Sequence, residues 1–441
     1  MNIRRLFRNR LLRGLPVVIF RVVRKAKSLF AIYHMGAINK GTRASEKNLR
    51  ELATINNCDR FTKVSREKLL SLKTSAPLVC LFSKAATIPA AQNQLSQSKT
   101  VFGNNIPAWI FENRPYSSKP IYAVRFSSCY IYPTWGVVLP SPTSIYEPSV
   151  KAARYKSPDL SQIPGMVLQG DKLSIDIERL PQHTLEGSYI LLNHWGGKNY
   201  GHFLCDSLPG ILLFYKEIIR GTLKILAGRL QRWQKELLRL LSIPAENIKS
   251  VDEDSCCCAS LLWPSFLEDN LNQPSAFTRV VGDYLRGLAV PGNVGLSPEL
   301  IFISRKGVLN RRMINEADLT ARLKNAGFSV IAPENYSVEQ QIRMFSRAKV
   351  IVGEMGAGLA NTLFAPPGCK IIEIMPEIKP SMWIKRLCGL LNMEWYCIWA
   401  KVPKERRVVS IVDGIKYDNL VFTYNVNVDH VLQATQNAMR S

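Results

Sequence analysis

From Gly187 to Pro376, short apolar runs of strand length alternate with segments of helical periodicity, and the alternation comes in two blocks. In the first, residues 189–192, 223–227, 248–251 and 257–263 read as strands, and residues 202–219 and 229–241 as helices. After a linker at 291–298, strands are expected at 300–304, 329–332, 349–352 and 370–374, with helices at 315–326 and 338–348 and one more after the turn that follows residue 352. In the 338–348 segment Val338, Gln341, Ile342, Phe345 and Ala348 recur at helical spacing, so one face packs on a sheet. Strands separated by helices are joined by crossovers, and crossovers make a parallel, doubly wound sheet. The expected fold is therefore α/β, with two Rossmann-like domains facing a cleft.

At 441 residues the chain exceeds the usual size of a single core, so two domains with additions are expected. Its 46% hydrophobic and 21% charged residues are spread along the sequence, as in a folded protein. The expected division is a basic arm at 1–50, a mixed loop-rich region at 51–186, the two α/β blocks at 187–292 and 293–400, and a tail at 401–441. No internal repeat or low-complexity tract interrupts it.

The formal charge is +24, and the first 27 residues hold nine Lys or Arg and no acid. Such an excess points to anionic partners: a phospholipid surface, nucleic acid or a diphosphate. The apolar run at 15–20 is too short to span a bilayer or to form a signal-peptide core. Residues 1–30 suit either peripheral docking on an anionic leaflet or a solvated arm, since Gly14 and Pro16 interrupt a helix there. The ten cysteines form no CxxC pair or Cys/His ligand set, so reduced, buried thiols in a cytoplasmic protein are expected. Asp252-Glu253-Asp254 reads as a solvated turn and not as a metal site. A nucleic-acid binder is disfavoured because no recognition helix, zinc finger or RNP-type motif accompanies the charge.

Three segments carry candidate chemistry. Residues 350–361 run from a strand into a turn with Gly353, Glu354, Gly356, Ala357, Gly358 and Asn361. Glycines admit a ligand close to the backbone, and a helix start favours an anion such as a diphosphate. The same spacing also suits a tight turn with close helix packing. Second, Ile303-Ser304-Arg305 ends a strand, where ligands of open α/β sheets bind, and Arg311, Arg312, Asn315 and Glu316 follow. Arg305 suits phosphate oxygens, whereas Arg311 is the stronger candidate for surface pairing with Glu316 or Asp318. Third, His202 and Asp206 stand four apart after a Gly-rich turn, so an imidazole general base oriented by a carboxylate is possible. The alternative is a histidine that only bonds the preceding loop.

In these segments the chain resembles the family 61 glycosyltransferases, which include bacterial capsular-polysaccharide-type enzymes and eukaryotic xylosyl-, arabinosyl- and N-acetylglucosaminyltransferases. The resemblance rests on Asn199-x-x-His202-Phe203, on Ser304-Arg305 with Arg312-x-x-Asn315-Glu316, and on the run from Ser337 through Gly356-Ala-Gly-Leu-Ala-Asn361 and Pro366-Pro-Gly368 to Glu373. It implies a GT-B-like fold, with 187–292 on the acceptor side and 293–400 binding the nucleotide sugar. It further implies inverting transfer to a saccharide hydroxyl in cell-surface polysaccharide synthesis, with no obligatory metal or cofactor. His202 with Asp206 would then be catalytic. Arg305, Arg312 and the Gly353, Glu354, Gly356, Ala357, Gly358 and Asn361 loop would hold the donor. The chain departs from the family at Met355, where the family often has His, and this keeps a catalytically inactive sugar-nucleotide-binding protein as the alternative. The expected location is the cytoplasm, at the inner face of the membrane if residues 1–30 dock there.

Overall fold

The computed structural model describes residues 49–51, 53–55, 61–72, 74, 76–91, 97–150, 160, 163–169, 172–181, 183–251, 255–268, 270–290, 297–308, 310–412 and 415–441. The basic arm before residue 49, the Asp252-Glu253-Asp254 turn and most of the 291–298 linker lie outside them. No helix among the described residues is long and apolar enough to cross a membrane.

Two compact units are present. The smaller holds an antiparallel sheet in the order Leu49–Glu51, Lys172–Asp176, Met166–Gln169. The larger, residues 52–158 and 180–441, carries both α/β blocks.

The second block forms a six-stranded, wholly parallel sheet in the order Ser329–Ile331, Leu300–Ile303, Val350–Glu354, Lys370–Pro376, Glu394–Ala400, Val101–Phe102. Among its first five strands the chain order is second, first, third, fourth, fifth. The order therefore reverses between Leu300–Ile303 and Val350–Glu354, and a reversal of this kind opens a crevice at the strands' carboxyl ends.

In the first block the strands Ile248–Ser250, Lys224–Ala227, Thr184–Leu191 and Cys256–Pro264 lie side by side and parallel. Here the reversal falls between Thr184–Leu191 and Cys256–Pro264. The sheet does not end there as a purely parallel layer. Cys256–Pro264 pairs antiparallel with the long strand Ile121–Tyr132, and Leu78–Ser83, Thr62–Lys63 and Val137–Leu139 complete eight strands. The segment read as loop-rich thus supplies half of the sheet. Its apolar runs are interrupted by Pro, Ser and Asn, which hides the strands from a pattern search.

Side-chain alternation along the strands divides the interior into layers. Phe302, Val350 and Val352 face one cluster, whereas Ile301, Ile303 and Ile351 face another. That second cluster also takes Ile190, Leu192 and Leu262 from the first sheet, together with Val281 and Leu285 from the helix Ala276–Ala289. The two blocks therefore share one continuous apolar core. A Cβ at Gly282 would stand 2.5 Å from the Leu363 carbonyl, so the helix needs glycine there to approach so closely. Arg286 donates to the Ala365 carbonyl and Arg343 to that of Ala289, which satisfies buried main chain across the junction.

The segment read as a tail, 401–441, covers the far face of the second sheet. In its helix Val428–Arg440, Val431, Ala434 and Ala438 recur at helical spacing and pack against the cluster of Phe302 and Ile372. All nine described cysteines are free and buried, and the Cys256 to Cys258 run lies in a strand.

Candidate active site

Immediately beyond the Thr184–Leu191 strand, His194 caps the short helix Trp195–Lys198, and its Nδ1 accepts the Gly196 N–H at 3.2 Å. An accepting Nδ1 carries no proton, so the neutral ring is protonated at Nε2. That Nε2 lies 2.9 Å from Asp206 Oδ2. One turn further on, Asn199 Oδ1 accepts from the amides of Gly201 and His202 and starts the next helical turn. His202 Nδ1–H then donates to the same Asp206 Oδ2 at 2.6 Å. With its proton on Nδ1, His202 carries its basic lone pair on Nε2.

The expected continuous helix at 202–219 is instead broken. Residues Phe203–Ser207 form a wide π turn, followed by Leu208–Leu213 and Tyr215–Ile219. Pro209 explains the first break: it has no N–H to give the Cys205 carbonyl one turn back. Asn270 Nδ2 donates to that carbonyl instead, and the neighbouring Leu271 N–H donates to Asp206 Oδ1 at 2.6 Å. Asp206 is completely buried and accepts from two rings and one amide. Burial pushes its pKa upward, but the hydrogen bonds from His194 and His202 prevail and hold it at about 2. The carboxylate is therefore charged, and it stabilises an imidazolium at His202 once that ring takes a proton.

The second motif packs directly on this one. Tyr200 Oη donates to Asn361 Oδ1 at 3.1 Å, and a Cβ at Gly201 would touch Ala360 Cβ at 3.5 Å. Asn361 is fully buried, and its amide donates to Gln341 Oε1 and the Gly358 carbonyl. In the fold it is a strut between the two sheets. The turn before it enters the helix expected there, which is of the 3-10 type over Ala357–Phe364. Gly353 and Gly358 are accounted for by packing, against Leu359 and Ile303 respectively. Ala357 is half-buried at the start of the turn.

Gly356 differs from the other two glycines. A Cβ there would lie 2.4 Å from Arg305 Nη1 and 3.5 Å from Arg311 Nη2, so two guanidiniums converge on its bare Cα. Arg305 follows the Leu300–Ile303 strand, its amide N–H bound by Glu316 Oε1 at 2.9 Å and its Nη2 donating to the Asn310 carbonyl. Glu354, at the end of the neighbouring strand, stands 3.8 Å from Arg305 Nε and accepts from Tyr424 Oη at 2.7 Å. Burial pushes the Glu354 carboxyl up to about 7. Burial and then the charge of Arg305 lower Arg311 to about 10. The buried Nε atoms of Arg305 and Arg311 have no hydrogen-bond partner among the described residues. Arg311 also has a left-handed backbone (φ 57°), which costs a non-glycine residue on the order of 1 kcal/mol. Two like charges and orphaned donors lie at the strand ends where the strand order reverses, and an anion would balance the charges and accept from the donors.

Arg311, and not Arg312, is thus the partner of Arg305. Arg312 begins the two-residue strand Arg312–Met313 and is exposed, while Met313 is buried. Strand alternation places residue 311 on the side of residue 313. The expected surface pairing of Arg311 with Glu316 is not seen, because Glu316 binds Ser304 and the Arg305 amide. Sequence reasoning also missed His194 and Tyr424. A histidine three residues past a strand end was a usable signal for the first. Tyr424 lay in the segment read as a tail, and nothing local marks it.

The only group of three potential metal ligands among the described residues is His194, His202 and Asp206. An ion there would take over His194 Nε2 and His202 Nδ1 and break both hydrogen bonds to Asp206. The contacts of His202 Nδ1 and His194 Nε2 to Asp206 Oδ2 are 2.6 and 2.9 Å long.

The chain thus carries an oriented imidazole beside one sheet and paired guanidiniums at the carboxyl end of the other, and its relatives by sequence are glycosyltransferases. Residues 200–372 match the family model Glycosyltransferase 61. Among curated proteins, the chain is 30% identical over 117 residues to protein O-linked-mannose β-1,4-N-acetylglucosaminyltransferase 2 of Xenopus laevis, covering 25% of this chain and 20% of that protein. The Xenopus tropicalis protein of the same name is 22% identical over 251 residues, 50% and 43% of the two chains. A β-1,2-xylosyltransferase of Oryza sativa subsp. japonica is 30% identical over 83 residues, 19% and 14%. The chain spans less than half the length of these relatives.

Because the backbone of Gly356 is extended, alanine is tolerated there by the main chain. Its methyl displaces the Arg305 guanidinium, the flexible end of a side chain. Gly356→Ala is expected to weaken nucleoside diphosphate binding roughly tenfold, about 1.4 kcal/mol, with the melting temperature nearly unchanged. Calorimetry and thermal unfolding on the same sample check both halves.

Proposed function

We propose that the chain is an inverting glycosyltransferase that moves a sugar from a nucleotide-sugar donor to a saccharide hydroxyl, with the two blocks arranged in the GT-B manner about the junction of Tyr200 and Asn361. The acceptor hydroxyl gives its proton to His202 Nε2 as its oxygen attacks the anomeric carbon. The bond from that carbon to the diphosphate breaks on the opposite face, and the electron pair leaves with the diphosphate. Arg305 and Arg311 stabilise the departing charge. One in-line displacement inverts the anomeric centre. His194 and Asp206 hold the base in the tautomer that keeps Nε2 basic.

The observation that carries this reading is the 2.6 Å bond that fixes the His202 proton on Nδ1. Residues 1–30 support action at an anionic membrane face, because they are basic and hold no acid. One observation favours a binding protein without turnover: Met355, buried, stands where the resembled family often has His.

A thermal-shift screen of nucleoside diphosphates and their sugars tests the reading. A ligand at 100 times its dissociation constant stabilises the native state by about 2.7 kcal/mol. Transfer from the donor so identified is expected to survive treatment with a chelator, since two arginines replace a metal at the leaving group. No stabilising nucleotide at all sinks the proposal. Binding without transfer to any saccharide favours the inactive reading, and transfer that a chelator abolishes overturns the metal-free mechanism.

A further inference from the structure

We propose that Glu354 is an internal counter-ion, held by Tyr424, whose pairing with Arg305, beside Arg311, the donor diphosphate takes over, so that diphosphate binding is accompanied by uptake of one proton onto Glu354. This inference rests on the diphosphate reading of the Arg305 and Arg311 pair and adds a regulatory step to it.

The argument starts from charge balance in a closed space. Arg305 and Arg311 meet at Gly356, and the anionic group nearest to them is Glu354, 3.8 Å from Arg305 Nε. The strand Lys370–Pro376 and the helix Val428–Arg440 flank this strand and carry Lys370, Glu373, Asp429, His430 and Arg440, but the groups that bear on the Glu354 carboxyl lie elsewhere. The loop after Leu300–Ile303 presents Arg305 and Arg311, the start of the helix Glu316–Asn325 presents Glu316, and the strand Ile415–Tyr424 presents Tyr424. Without ligand, the two guanidiniums favour the ionised carboxylate and burial opposes it. The balance leaves this carboxyl titrating near neutrality, at about 7. Tyr424 matters because its hydroxyl donates at 2.7 Å to the oxygen that lies 3.8 Å from Arg305. That bond orients the carboxylate and favours its charged form.

A diphosphate brings its own negative charge to the same guanidiniums. Its oxygens replace Glu354 as their counter-charge, and in a buried site two neighbouring anions repel strongly. The carboxyl pKa then rises above the ambient pH, and Glu354 takes a proton from solvent. The reverse holds on release: as the diphosphate leaves, Glu354 ionises and takes up the arginines again. By linkage, the affinity for diphosphate falls as pH rises through the free-state value of Glu354.

The test uses inorganic pyrophosphate, which carries the diphosphate without a base or sugar, with the full chain. Titration calorimetry at pH 7.5 in buffers of different ionisation enthalpy counts the protons taken up. Pyrophosphate itself titrates near this pH, so the quantity read is the difference between wild type and Glu354→Gln. Wild type is expected to take up between about half and one proton more. Its affinity relative to Glu354→Gln should fall by up to about tenfold per pH unit above 7.5 and converge with it near pH 6. Tyr424→Phe removes the bond that favours the ionised form, so Glu354 starts out protonated and the extra uptake moves to higher pH. This variant also keeps the test open if Glu354→Gln fails to fold. Equal proton counts for wild type and Glu354→Gln, with binding that still depends on Arg305, overturn the counter-ion role alone. Binding indifferent to Arg305→Ala, or no binding, removes the diphosphate site as well.

Discussion

Replacing His202 by Gln is expected to lower turnover by about 100-fold or more while donor affinity stays close to wild type, the range lost when a general base is removed. Glutamine keeps the size of the ring and can still donate to Asp206, but its amide takes up no proton near neutral pH. Asp206→Asn should reduce turnover less and reduce stability more. Its carboxylate accepts from His194, His202 and the Leu271 amide, and asparagine offers one acceptor in place of two and adds an N–H₂ among three donors. A buried donor left unsatisfied costs about 1–3 kcal/mol. Steady-state kinetics with the donor varied separate the outcomes: an effect on kcat alone identifies a base, and an effect on KM alone identifies a binding residue. Full turnover of His202→Gln with the true acceptor would sink the assignment.

The second large effect concerns two adjacent arginines with opposite expectations. Arg311→Ala and Arg305→Ala should each weaken nucleoside diphosphate binding by about 1.5–3 kcal/mol, the range for a hydrogen bond to a charged group. Arg312→Ala should leave it nearly unchanged, since its side chain is exposed on the other side of the strand. Arg311→Ala also relieves the repulsion with Arg305, so a modest gain in stability is expected without ligand. Loss of binding in Arg312→Ala with none in Arg311→Ala would move the diphosphate off the Gly356 crevice.

Much of this protein is legible in residue order alone. The alternation from Gly187 onward predicts the four parallel strands of the first block and four of the six in the second, because crossover connections permit little else; Glu394–Ala400 and Val101–Phe102 are not read from it. The spacing of His202 and Asp206 determines that they meet, since one helical turn brings positions i and i+4 together even across a π turn. Arg305 is placed by the rule that loops at strand carboxyl ends form the crevice.

Other features depend on contacts between residues far apart in sequence, which no local pattern records. Ile121–Tyr132 joins a sheet whose four parallel strands all begin at residue 184 or later. Tyr424 reaches Glu354 across 70 residues, and Leu271 reaches Asp206 across 65. Choosing Arg311 over Arg312 needed the pairing of Arg312–Met313 with the carboxyl-terminal strand Ile415–Tyr424, which decides which neighbour faces inward. Sequence periodicity thus determined the strands, the crossovers and the local His202 and Asp206 pair, because those follow from backbone geometry. The tertiary structure alone decided which charges share a buried space, and therefore which of them can act together, because Coulomb and desolvation energies depend on distance and burial and not on order along the chain.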